Sequence, residues 1–180
     1  MVVAGIDMFE KWYSLLGQSL NNVAVSEFIG TNSLKRRTFK QPCIQIEYLD
    51  DVGVTLDVVP ESQEVYMVRF TFFTLPQLAK SIYDGCLPFD VRPGDNLNNV
   101  LEKAGRPPLT RRQQRIAFEE LKDMSDEQLK KFSIGQHKEP KNCESLMFRN
   151  GNFDVEFMFK LEGPLLWIMV AKAESQDDRR

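Results

Sequence analysis

Histidine, cysteine and long apolar runs are all scarce in these 180 residues, and each scarcity removes a class of function. The one histidine, His137, lies in a polar stretch. A Ser-His-Asp or Cys-His nucleophilic arrangement would have to use it. No nucleophile-elbow glycine pattern accompanies it, so His137 reads as a solvated loop residue and no catalytic set is expected. The three cysteines, Cys43, Cys86 and Cys143, are odd in number and far apart. Neither CxxC nor a Cys/His zinc spacing occurs, which leaves free thiols and predicts no metal site. No run approaches the ~18 consecutive apolar residues a membrane-spanning helix needs. The start, MVVAGIDMFEKW, lacks the basic segment, apolar stretch and small-residue cleavage site of a secretory signal. The expectation is a cytoplasmic protein with no membrane contact.

Surplus positive charge is absent as well. Lys and Arg number 23 against 26 Asp and Glu, for a net charge of −3. A nucleic-acid partner is not expected, because phosphate binding needs a cationic face. Phosphate-cradling loops are missing too: no Walker loop occurs, and no GxGxxG follows a strand pattern. GDNLNNVLEKAG lacks the lysine such a cradle requires, so no nucleotide or other cofactor is anticipated.

What is present is a repeat. GQSLNNV, Gly17 to Val23, returns as GDNLNNV, Gly94 to Val100, a displacement of 94 − 17 = 77 residues. Before the first copy, Met8, Phe9, Trp12, Tyr13, Leu15 and Leu16 recur at helical intervals, predicting a helix over 7–16 stopped by Gly17. The motif opens a second helix with Ser19 as its cap, and Asp95 or Asn96 takes that role in the second copy. The tandem asparagines, Asn21-Asn22 and Asn98-Asn99, sit in first turns, where their side chains satisfy free backbone N–H groups.

Each copy is followed by alternation of apolar and polar residues, the period of strands. After the basic loop TNSLKRRTFKQP, Ile44, Ile46 and Tyr48 share one strand face, then Val54, Leu56 and Val58, then Tyr66, Val68, Phe70 and Phe72. In the second half Leu146 and Phe148 lead, Asn150-Gly151 marks a hairpin, Phe153, Val155, Phe157 and Phe159 follow, and Leu165 to Ala171 closes. Capping-box spacings at Thr110–Gln113 and Ser125–Gln128 predict helices between. The fold expected is α+β with two related units, each of N-terminal helices plus a three-stranded antiparallel meander, the sheets packed together or continuous. The units span 1–74 and 87–173, joined by a connecting helix over 75–86, with a helical insertion at 110–132 and a disordered tail over 174–180.

Carboxylates and large apolar residues on the outward strand faces supply the candidate site. Glu47 and Asp57 could be cross-strand neighbours, and Asp154 and Glu156 share a face; such pairs can do acid/base work or form an acidic patch for a basic partner. Tyr66, Met67 and Trp167 are candidates for partner contact. An antiparallel sheet wet on one side should not carry apolar residues on both, so the second face meets helices, another sheet or a partner.

The stretch LPFDVRPGDNLNNVLEKAGRPP, followed by a meander ending in an aromatic-rich strand, is similar to the helix–loop–meander repeat of the beta-lactamase inhibitor protein and its relatives. It also resembles small cytosolic immunity proteins of bacterial polymorphic toxin systems. The likeness covers Leu87 to Ala171 most clearly and Leu16 to Phe73 less so. It implies a protein that binds and blocks a cognate toxin domain, with no catalytic residues to carry over. The alternatives are a small-substrate enzyme using surface carboxylates and a noncatalytic ligand-binding or scaffold module.

Overall fold

The computed structural model describes residues 6–32, 35–42, 44–74, 81–114 and 142–173. Two helices, α1 (Ile6–Tyr13) and α2 (Val23–Asn32), precede four strands: β1 (Arg36–Gln41), β2 (Ile44–Leu49), β3 (Val54–Val58) and β4 (Val65–Thr71). A short 3-10 turn at Pro88–Asp90 leads to α3 (Leu97–Ala104), then β5 (Thr110–Gln114), β6 (Cys143–Asn150), β7 (Phe153–Lys160) and β8 (Leu165–Lys172). All eight strands form a single antiparallel sheet in the order β1-β2-β3-β4-β8-β7-β6-β5. β1 to β4 run as a meander with short connections, β6 to β8 do the same with β5 paired outside β6, and the two sets meet where β4 pairs with β8, Phe70 opposite Ile168.

One face of this sheet carries the core. Val54, Leu56, Val68, Phe70, Val155, Phe157, Ile168 and Val170 are at most 1% exposed, and directly opposed residues share that face across every strand pair. Phe9 of α1 packs on Phe70 at 4.8 Å, and Tyr13 on Phe153 at 4.7 Å, so α1 crosses the seam between the two meanders. Trp12 lies beneath α2 against Phe28, and Phe89 covers Phe148 and Phe157. Each fully buried aromatic or aliphatic side chain contributes roughly 1.5–3 kcal/mol relative to exposure. The core is one continuous cluster across both halves.

The backbone docks the two repeated motifs onto the sheet in the same way. Val65 N–H donates to the Gln18 carbonyl at 3.0 Å, and Leu165 N–H to the Asp95 carbonyl at 3.0 Å. Isolated bridges join Ser19 to Glu64 and Asn96 to Pro164. Gly17 turns the chain out of α1 with a φ of +78°, a conformation that suits glycine.

Several expectations change. The basic stretch read as a loop contains β1, and Thr110–Gln114, read as the start of a helix, is β5; each half therefore holds four strands. Capping-box spacing is compatible with either state, and here the ladder to β6, begun by Leu109 N–H on the Met147 carbonyl at 2.7 Å, satisfies the backbone instead. The remainder of the expected insertion, His137, Cys43 and the tail lie outside the described residues. So does most of the connecting helix, and residues 81–86 are not helical. The helix after the first motif begins at Val23, capped by Asn22 Oδ1 accepting from Ala24 N–H at 3.0 Å, while Ser19 belongs to the bridge. Finally, β2 is turned over: Leu49 opposes Val54 in the core, and a period of two then sends Glu47 and Gln45 inward and Tyr48 outward.

Candidate functional site

No helix among the described residues covers the second face of the sheet, and most of the outward candidates gather there. Two rows cross it. In one, Tyr48, Thr55, Arg69, Met169, Glu156 and Met147 stand directly opposite each other from β2 to β6. In the next, Asp57, Met67, Ala171, Asp154 and Arg149 do the same. Trp167 stands beside them between Thr71 and Met158 and stacks on Phe73 at 5.7 Å. Four of the seven methionines, Met67, Met147, Met158 and Met169, lie on this face, and all but Met158 are half-buried.

The charges of the face are largely committed internally. Asp57, 6% exposed, accepts from Arg69 Nη2 at 3.2 Å. Its other oxygen and Arg69 Nε are buried without a hydrogen-bond partner. Burial pushes the Asp57 carboxyl above its usual value, and the Arg69 charge opposes that rise. Asp154 takes Arg149 Nε at 2.6 Å, and Asp50 takes Arg37 Nε at 2.5 Å while that guanidinium lies 4.6 Å above the Tyr48 ring. Tyr66 is the extra residue of a β-bulge opposite Asp57 and Val58; it is 39% exposed, and burial first, then the Asp57 charge, raise its phenol. Glu156 is half-buried and has no hydrogen bond or ion pair with the described residues.

Glu47 does not join this group. Its partner across β3 is Leu56, whereas Asp57 opposes Ile46, so the two carboxylates point to opposite faces. Glu47 is 1% exposed and accepts from Arg36 Nε at 2.7 Å, Thr38 Oγ1 at 2.7 Å and Gln45 Nε2 at 2.6 Å. A carboxylate so fully bonded holds the sheet edge together rather than meeting a ligand. The sequence reading passed over Arg69, Met147 and Met169. The signal was there for Met169: it alternates with Ile168 and Val170, so fixing those inward sends it out.

A second feature lies on the core side at the far end of the sheet. An open groove of about 440 Å³ is lined by Asn96, Asn98, Arg111, Gln113, Glu144 and Glu162 above Phe159. Arg111 is ion-paired with Glu144. Of the LNNV asparagines, Asn99 is engaged in a reciprocal capping box with Asn96, while Asn98 faces the groove. Among the described residues no cluster of three or more His, Cys, Asp or Glu could hold a metal ion, and no helix is long and apolar enough to cross a membrane.

No protein-family model matches the chain, and neither a curated protein nor a solved structure matches it.

Proposed function

We propose that this is a noncatalytic immunity protein that binds a cognate bacterial toxin domain in the cytoplasm and covers its active site. The sheet face that no helix among the described residues covers is the docking surface. The observation that carries the reading is the composition of that face: half-buried Met67, Met147, Met169 and Trp167 beside the internal ion pairs Asp57–Arg69 and Asp154–Arg149. Methionines present adaptable apolar area, and internally neutralised charges can be covered by a partner at lower desolvation cost than free ones. Aromatic and methionine anchors inside a polar rim are the usual anatomy of a protein interface.

We further infer that the sheet is two copies of one unit, each a LNNV-started helix with four strands. The docking bonds support this. Gln18 and Asp95, and Ser19 and Asn96, are both 77 residues apart (95 − 18 and 96 − 19), matching the displacement of the motif itself.

Co-expression with the protein encoded beside this gene tests the function. The expected result is a stable complex and protection of the host from killing; no complex and no protection would sink the reading. A small-ligand-binding module is the second reading, favoured by the 440 Å³ groove, and would show ligand binding lost on Asn98→Ala with Arg111→Ala.

A further inference from the structure

We propose that the docking face receives a lysine or arginine side chain of its partner at Glu156, between Met147 and Met169. This rests on the docking reading above and names the chemistry of the partner's contact. Three outward carboxylates stand near the middle of the face, and two are spoken for: Asp57 by Arg69 at 3.2 Å and Asp154 by Arg149 at 2.6 Å. Glu156 is the third. It has no hydrogen bond or ion pair with the described residues, and its cross-strand neighbours are two half-buried methionines, Met169 on β8 and Met147 on β6.

That setting is tolerable only while water reaches the carboxylate. A partner covering the face would strip the hydration of a half-buried anion, and leaving it unpaired there is strongly unfavourable. Arg69 stands in the same row but is bonded to Asp57, and Arg149 lies on the diagonal but is bonded to Asp154. Of the other cations on the face, Arg112 on β5 is two strands away and Lys160 is four residues along β7, and neither is ion-paired with Glu156. The partner must therefore bring a cation. A lysine or arginine fits the flanks as well as the centre, because its alkyl stem lies along the methionine side chains while its head meets the carboxylate. Such a contact sets both register and partner choice, since an acidic or neutral side chain at that place is rejected.

The full chain carrying 13C-methyl methionine provides the test. Titration with Nα-acetyl-L-arginine amide is expected to shift the Met147 and Met169 methyl signals, with the isosteric neutral Nα-acetyl-L-citrulline amide moving them at least about fivefold less. Glu156→Gln, which keeps the shape and whose methyl spectrum reports an intact fold, abolishes the response. Unmoved signals, or equal shifts in Glu156→Gln, overturn the proposal. In the complex with the protein encoded beside this gene, Glu156→Lys is expected to weaken binding about 100-fold, the scale of reversing a covered charge pair. A complex of unchanged affinity overturns the Glu156 contact and leaves the docking reading standing. An arginine response at Glu156 with no protein complex supports the contact and removes the toxin reading.

Discussion

A Cβ placed on Gly53 would stand 2.4 Å from the backbone nitrogen of Tyr83 and 2.6 Å from the carbonyl carbon of Ile82, at a φ of +66° that disfavours any side chain. This glycine lets residues 81–83 close over the start of β3, where Tyr83 N–H donates to the Thr71 carbonyl and Thr71 N–H to that of Gly53. Gly53→Ala is expected to lower stability by about 2 kcal/mol or more, combining backbone strain with overpacking; urea unfolding measures it. Asp57 gives a pH signature. Because burial raises its folded pKa above its ordinary value of 3.8, the native state holds the proton more tightly than the unfolded chain does. Its favourable contribution is complete below 3.8 and is lost as pH rises through the folded pKa. Asp57→Asn should therefore show a flatter stability profile upward from pH 3.8 than the native chain, and parallel profiles would contradict the assignment. Cys143 is buried and its thiol is pushed up to about 11 by desolvation, whereas Cys86 is exposed. Peptide mapping after brief treatment of the folded protein with a thiol-specific disulfide reagent should find Cys86 modified and Cys143 intact. Of these residues the sequence displayed only identity. Gly53 was legible as a turn, but its contact with Tyr83 joins segments thirty positions apart in the chain.

At the scale of elements, α3 owes its start to reciprocal bonds between Asn96 and Asn99: Asn99 N–H to Asn96 Oδ1 at 3.0 Å and Asn96 N–H to Asn99 Oδ1 at 3.1 Å. Asn96→Ala should cost about 1 kcal/mol. Asn98→Ala, with its amide toward the groove, should leave stability within about 0.5 kcal/mol of native, as a surface change away from such features does; paired thermal melts separate the two. The repeated letters announced both helices, yet the first begins at Val23 and the second at Leu97, because a cap is chosen by local hydrogen bonds that two similar strings can satisfy differently. Strand alternation was legible wherever an apolar face was continuous, as in Phe153, Val155, Phe157 and Phe159. It misled at β2, where the inward residues are Gln45 and Glu47. There Arg36 and Thr38 from the edge strand make polar residues acceptable on the core side, and an edge strand reading RRTFKQ carries little apolar signal of its own.

For the molecule as a whole, the sequence indicated α+β architecture and meanders but left open one sheet or two. That choice lies in the pairing of β4 with β8, residues about 100 positions apart, which no local pattern encodes. The candidate face follows from the same pairing, since it brings Met67 and Arg69 of one half beside Met169 and Ala171 of the other. If the docking reading holds, Met169→Gln should weaken the partner complex by at least about tenfold under conditions where its unfolding curve shows the variant fully folded. Calorimetric titration beside a urea melt checks both halves of that statement.

The placement of β8 also governs the order in which the fold can be made. This strand is synthesised after the other seven but lies between β4 and β7. During translation the inner edge of β4, with Val68 and Phe70, stays unsealed until residue 172 has emerged, and the same holds for β7. A ribosome stalled before Leu165 would thus hold two incomplete sheets with open edges, the state most open to aggregation and to chaperone capture.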